Sequence, residues 1–165
     1  MEPLPISEQF HIEAAKGWLL LGDRGEAHNE LDQVGRRWRQ YPEVMELRWY
    51  LHAEEKEWNK ALPIAQKINK KHPDRLFGWL AHAHSLFKST GDPDAAWELL
   101  YPAADTFEGP QIAYGLACYG SLAGKFKEAR EWLARAIESS DPDQFDEFYT
   151  AHPELEALSE FLQKL

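Results

Sequence analysis

Apolar side chains recur along this chain at spacings of three and four residues, and no stretch alternates apolar with polar positions as a half-buried strand would. The clearest instance is 116–142, LACYGSLAGKFKEAREWLARAIESSDP. Leu116, Ala117 and Leu122 mark one helix that stops near Gly124, and Ala129, Trp132, Leu133, Ala136 and Ile137 mark a second. Two short helices joined by a tight turn must pair, because an apolar stripe needs a facing surface. Small residues at Ala117 and Ala129 let the two backbones approach. Asp141-Pro142 ends the second helix, since the residue before a proline is pushed out of the α region.

The same frame recurs upstream. Ala27, Ala61, Ala96 and Ala129 are separated by 34, 35 and 33 residues, and four residues after each stands Leu31, Ala65, Leu100 or Leu133. Prolines close the repeats at Pro42, Pro73, Pro110 and Pro142, and the turns within them carry Gly22-Asp23, Glu57-Trp58, Gly91-Asp92 and Gly124-Lys125. A fixed period of this length is the mark of a helical solenoid. On these residues the chain resembles the tetratricopeptide repeat (TPR) family. Trp79, Ala83 and Leu86 match the family's first-helix pattern, as do Leu116 with Ala117, and Ala14 and Ala15 with Trp18. The second repeat departs from it, with Arg48 and Trp49 in the leucine and small slots, which calls for a rotated first helix or a wider helix separation.

The resemblance implies an all-α fold of antiparallel helix hairpins stacked as a short right-handed α-solenoid, with repeats at about 8–42, 43–75, 76–109 and 110–142 after a lead-in at 1–7. In the tail, Phe145, Phe148 and Tyr149 form a short apolar cluster, and Leu155, Leu158, Phe161, Leu162 and Leu165 recur at helical spacing. Residues 143–165 are therefore expected to be a C-terminal capping segment with a helix over the bare end of the array; docking of that helix in a groove of a second molecule is the alternative.

Within the repeats, Ser7 is the expected N-cap of the first helix, which runs to about Leu21 with Phe10, Ala14, Trp18 and Leu21 on its paired face. Ala27, Leu31, Val34 and Trp38 make the opposing stripe, and the segment holding Gly35, Arg36, Arg37 and Arg39 lengthens that second helix. Pro63 falls near the first turn of its helix, where a missing amide hydrogen costs little, whereas Pro102 lies inside a helix over about 94–106 and should bend it.

Composition narrows the function. The 165 residues suit one domain, and seven tryptophans supply bulk between stacked helices where alanine alone would leave gaps. A net charge of −10 argues against nucleic acid as partner. Residues 36–75 hold ten Lys and Arg against six Asp and Glu, a balance of +4, and 128–160 hold two against ten, a balance of −8; these read as solvated outer faces of helices. No apolar run approaches the roughly 20 residues that span a bilayer and the start lacks a signal pattern, so a cytoplasmic protein without membrane contact is expected. A single cysteine, Cys118, has no partner thiol. His82 and His84 stand two apart and no histidine pair stands four apart beside an acid, so no metal is expected; nor is there a phosphate loop, a nucleophile elbow or a marked carboxylate pair. No cofactor and no enzymatic activity are expected.

What the resemblance implies is a binding groove. In the family the first helix of each repeat lines the concave face, which here would present Ile12 and Lys16, Glu46 and Tyr50, Phe77, Leu80 and His84, and Tyr114 and Cys118. That floor is aromatic and apolar, and only Lys16 resembles the basic clamp with which some members hold C-terminal carboxylates, so no such clamp is expected. The function so implied is a non-catalytic protein-protein interaction module that holds a peptide or a segment of a partner protein, as a monomer or weak homodimer. A self-associating structural module, dimerised through tail or convex face, is the alternative.

Overall fold

The structure is a computed structural model and describes residues 2–140; Pro142 and the expected capping segment at 143–165 lie outside them. Among the described residues there are eight α-helices and no strand: α1 (Ile6–Leu20), α2 (Arg24–Gln33), α3 (Pro42–Glu54), α4 (Trp58–Lys71), α5 (Leu76–Thr90), α6 (Pro93–Leu100), α7 (Pro110–Leu122) and α8 (Phe126–Ser139). The chain forms two compact units, Met1–Ser85 and Leu86–Leu165, and crosses from one to the other within α5.

The alanines that set the period are buried seams. Ala27, Ala61, Ala96 and Ala129 are inaccessible to solvent, and so are Leu31, Ala65, Leu100 and Leu133 four residues on. Their first-helix counterparts Ala15, Ala83 and Ala117 are also inaccessible, and Trp49 holds that place in the second repeat.

In the first unit, α1 pairs with α2 and α3 with α4. Ala15 shares a core with Leu31, whereas Trp49 shares one with Ala61 and Ala65 of α4 and Ala81 of α5. Bulk and gap have changed sides: the first repeat fills its seam with leucine from the second helix, and the second repeat fills it with tryptophan from the first helix. The indole N–H donates to Ser85 Oγ at 2.8 Å, which satisfies the one polar atom this exchange buries. Trp49 thus sits in the small slot against a partner trimmed to alanine.

Arg48 serves a different purpose. Its guanidinium donates to the carbonyl of Leu31 at 2.7 Å and to Asp32 Oδ1 at 2.9 Å, while Arg39 donates to the carbonyls of Asp32 and Val34 at 2.9 and 3.0 Å. Both arginines therefore take up carbonyls that the end of α2 leaves without intrahelical partners, at the end where positive charge is favoured. The expected lengthening of α2 through the basic segment does not occur. The helix stops at Gln33, its last carbonyls held by side chains and the Gly35 amide held by Glu8 at 2.9 Å.

Other boundaries shift as well. Ser7 lies inside α1, whose N-cap is Pro5, so it caps nothing. The buried face of α1 is Ile12 and Ala15 with partly buried Trp18 and Leu19, and the expected stripe residues Phe10 and Leu21 are exposed. Facing both α2 and α3 turns the helix so that positions 12, 15 and 19 point inward. Pro42 and Pro110 open the next helix at its first turn, where a proline lacks no needed hydrogen bond, and do not close the previous one. Pro63 sits in the second turn of α4, one turn later than expected, and is exposed so that water can serve the carbonyl it leaves unpaired.

Three of the turns close in one way. The sixth-residue amide reaches back to the first carbonyl in Asp23 to Trp18 (2.9 Å), Glu57 to His52 (2.8 Å) and Lys125 to Gly120 (2.8 Å). This motif needs a left-handed residue just before the returning amide. Gly22 and Gly124 supply it with φ of 78° and 75°; Lys56 supplies it with φ of 58°. The turn of the second repeat is thus Lys56-Glu57, one residue before the expected Glu57-Trp58. A side chain in that conformation is strained, so Lys56→Gly is expected to stabilise the protein by about 1 kcal/mol. Chemical denaturation of the two proteins checks it, and a loss of stability would mean the lysine side chain contributes more than the strain removes.

In the second unit, α7 and α8 pair through Ala113, Tyr114, Ala117 and Cys118 on one side and Ala129, Leu133 and Ala136 on the other. A Cβ at Gly120 would stand 3.3 Å from that of Ala129, so the approach is as close as the small residues lead one to expect. The helix expected over 94–106 is divided: α6 ends at Leu100 and Tyr101–Asp105 continues as a 3₁₀ helix. Pro102 has no amide hydrogen to continue the α pattern, so the bend takes the form of a tightened turn.

Candidate functional site

The first unit has a hollow of about 600 Å³ between α1 and α3. Lys16, Leu19 and Leu20 line it from α1, Gly22 and Arg24 from the following turn and the start of α2, and Tyr50 and Glu54 from α3. Its size lies within the range of ordinary ligand clefts. The two walls are first helices of successive repeats.

Charge marks its two ends. Lys16 Nζ donates to Glu13 Oε1 at 2.8 Å and Glu43 Oε1 at 2.6 Å, and these hydrogen bonds hold its pKa above the ordinary lysine value. At the other end Arg24 reaches Glu54 Oε2 at 3.1 Å. Between them the surface is apolar. Leu20 is 89% exposed and Tyr50 47%. The Tyr50 ring lies 5.2 Å from that of buried Trp49 and 5.3 Å from that of half-buried Phe77, so its exposed face stands on an aromatic base. Burial, followed by the charge of Glu46, raises the Tyr50 pKa and keeps the phenol neutral. Glu46 itself is tied to Arg75 at 2.6 Å.

Of the expected groove residues, Lys16 and Tyr50 thus meet in one hollow, with Phe77 and Glu46 beside them. Leu80 and His84 are half-buried on α5, the His84 ring lying 5.3 Å from Trp58 and 6.4 Å from Trp49. Three residues are elsewhere. Ile12 is 1% exposed and belongs to the core of the first repeat. Tyr114 and Cys118, at 4% and 3%, belong to the core between α7 and α8. The reason in the second unit is that α7 is apolar or small nearly all round, and such a helix is covered on every side. These three offer a partner no surface.

Leu19, Leu20, Arg24 and Glu54 were not foreseen in the site. The run Leu19-Leu20-Leu21 did carry a signal, because three consecutive apolar residues cannot all face one side of a helix.

The second unit has a smaller hollow, about 400 Å³, lined by Trp97, Tyr101, Glu131, Trp132 and Arg135 among others. Its indole faces are already covered, Trp132 by the Arg135 guanidinium at 4.5 Å and Trp97 by Lys125 Nζ at 5.1 Å.

No protein-family model matches the sequence, and no curated protein does. Solved structures do. The crystal structure of a thermophilic TPR protein from Thermus thermophilus aligns over 94% of this chain and 89% of its own, with a TM-score of 0.73 and 17% sequence identity. The chain therefore has a tetratricopeptide-like helical-repeat fold. Among the described residues, no helix is long and apolar enough to cross a membrane.

Proposed function

We propose that the protein is a non-catalytic interaction module, and that the hollow between α1 and α3 holds a short apolar segment of a partner protein. The observation that carries this reading is the conjunction of Leu20 and Tyr50, two large apolar side chains exposed at the rim of one cleft. A chain rarely leaves such a patch open without use. The aromatic base under Tyr50 fixes its ring before a ligand arrives, so little conformational freedom is lost on binding. Lys16 and the Arg24–Glu54 pair at the ends supply polar groups that set the direction of the bound segment. The fold of the structural neighbour is in keeping with this use.

Selection of random twelve-residue peptides on the immobilised protein tests the proposal. Enriched peptides should carry two or more large apolar side chains and bind in the micromolar range, about −8 kcal/mol. Tyr50→Ala and Leu20→Ala should each cost more than about 1 kcal/mol of that affinity, as central contacts do. Arg36→Ala and Arg37→Ala, remote from the hollow, should leave it unchanged. Peptides that bind the Tyr50 and Leu20 variants as tightly as the parent would remove the site from this hollow. A stable dimer by light scattering, in place of a 19.1 kDa monomer, that Leu20→Ala dissociates would give the surface to self-association.

A further inference from the structure

We infer that the first unit binds one transition-metal ion, of the zinc type, through His28, His52 and Glu55. His28 comes from α2, His52 from the last turn of α3, and Glu55 from the turn that follows. One nitrogen of each imidazole and one carboxylate oxygen lie within 4.8 Å of one another. Glu55 Oε2 stands between the rings, 3.2 Å from His28 Nε2 and 3.7 Å from His52 Nδ1. The rings are 5.2 Å apart and inclined at 46°. Three donors drawn inward by roughly an ångström would reach the bond lengths of about 2.0–2.2 Å that zinc makes with imidazole and carboxylate.

The surroundings favour an ion at this place. Glu57 Oε2 lies 2.9 Å from the same His52 Nδ1, a second carboxylate that an ion at this nitrogen would meet, while Lys60 occupies the other oxygen of Glu57 at 2.7 Å. Glu55 and Glu57 flank Lys56, the residue whose left-handed backbone departs from the glycine of the equivalent turns, so the strained turn is also the one that presents two carboxylates to His52. The three side chains are partly exposed, at 26%, 16% and 30%, which leaves an ion a way in.

Donor chemistry selects the class. Two imidazoles and one carboxylate suit zinc, nickel or copper; calcium and magnesium require more oxygen. With three protein ligands a fourth position stays open to water. Because His28 belongs to the first repeat and His52 and Glu55 to the second, the ion would tie the two repeats together.

Zinc titration of the intact protein tests this, by calorimetry and by thermal melting with and without chelator. One ion per chain, and a melting temperature that rises with zinc and falls back with chelator, are expected, since a ligand of the folded state alone stabilises it by mass action. Magnesium should have no effect. His28→Ala and His52→Ala should each weaken zinc binding by at least the 10–100-fold that loss of a mere supporting group causes, while His72→Ala should not. Cobalt substitution gives a second measurement: a visible absorption band of tetrahedral intensity, lost in His28→Ala. The proposal fails if zinc leaves the melting temperature unchanged, or if folded His28 and His52 variants bind it as the parent does.

Discussion

Trp49→Ala is expected to lower the unfolding free energy by about 3–5 kcal/mol, the cost of truncating a buried tryptophan. Trp49 is 8% exposed, and its ring meets Phe77 edge-on at 5.3 Å and His84 at 6.4 Å. Ala61, Ala65 and Ala81 are too short to collapse into the space, and Ser85, wholly buried, would lose its donor. Equilibrium urea unfolding checks the magnitude. The exchange of bulk across the seam adds a sharper expectation: Ala65→Leu alone should destabilise by about 1–3 kcal/mol through overpacking, yet it should restore stability when Trp49 is already alanine, because that pair reproduces Ala15 and Leu31. A double-mutant cycle with no coupling between positions 49 and 65 would contradict this account of the second repeat.

Leu133→Ala is expected to cost about 2–5 kcal/mol in the second unit. Leu133 is inaccessible to solvent and lies among Ala113, Ala117, Ala129 and Ala136. Around it most of the seam is built of methyl groups, so one leucine carries much of the filling volume, and only a few larger side chains, Tyr114 among them, stand in the same core to reach into a cavity there. Thermal and urea denaturation should show the loss. Ala134→Gly, half-buried on the same helix, should cost only the propensity difference of about 1 kcal/mol.

The period was legible in the sequence because the physics behind it is local. Ala27, Ala61, Ala96 and Ala129 must be small wherever two helices touch closely, and a glycine must follow wherever the chain turns left-handed. Where a second residue takes over the duty, the local rule fails. Lys56 shifted the apparent turn by one position for that reason, and Trp49 looked like a breach of register because its compensation, Ala65, lies sixteen residues away. The candidate site was legible in part. Lys16 and Tyr50 were placed on the open face by their repeat positions, but which side of a helix is covered depends on all its neighbours. Ile12 was lost to the core because α1 meets α3 as well as α2, and Tyr114 and Cys118 because α7 is covered on every side. His28 and His52, twenty-four residues apart on different helices, could not be paired by any rule that looks for ligands along one helix.

The arginines at the end of α2 have a consequence for cooperativity. Arg48 belongs to the second repeat, yet it holds the carbonyl of Leu31 in the first. When α3 opens, the end of α2 loses that bond along with the apolar contacts of Val44, Leu47 and Leu51 in the shared core. In nearest-neighbour terms this bond and this shared core are the coupling between the first two repeats. Hydrogen exchange should therefore find the amides of α1, α2 and α3 opening together as one block, with no slow-exchanging hairpin left behind at the N-terminal end.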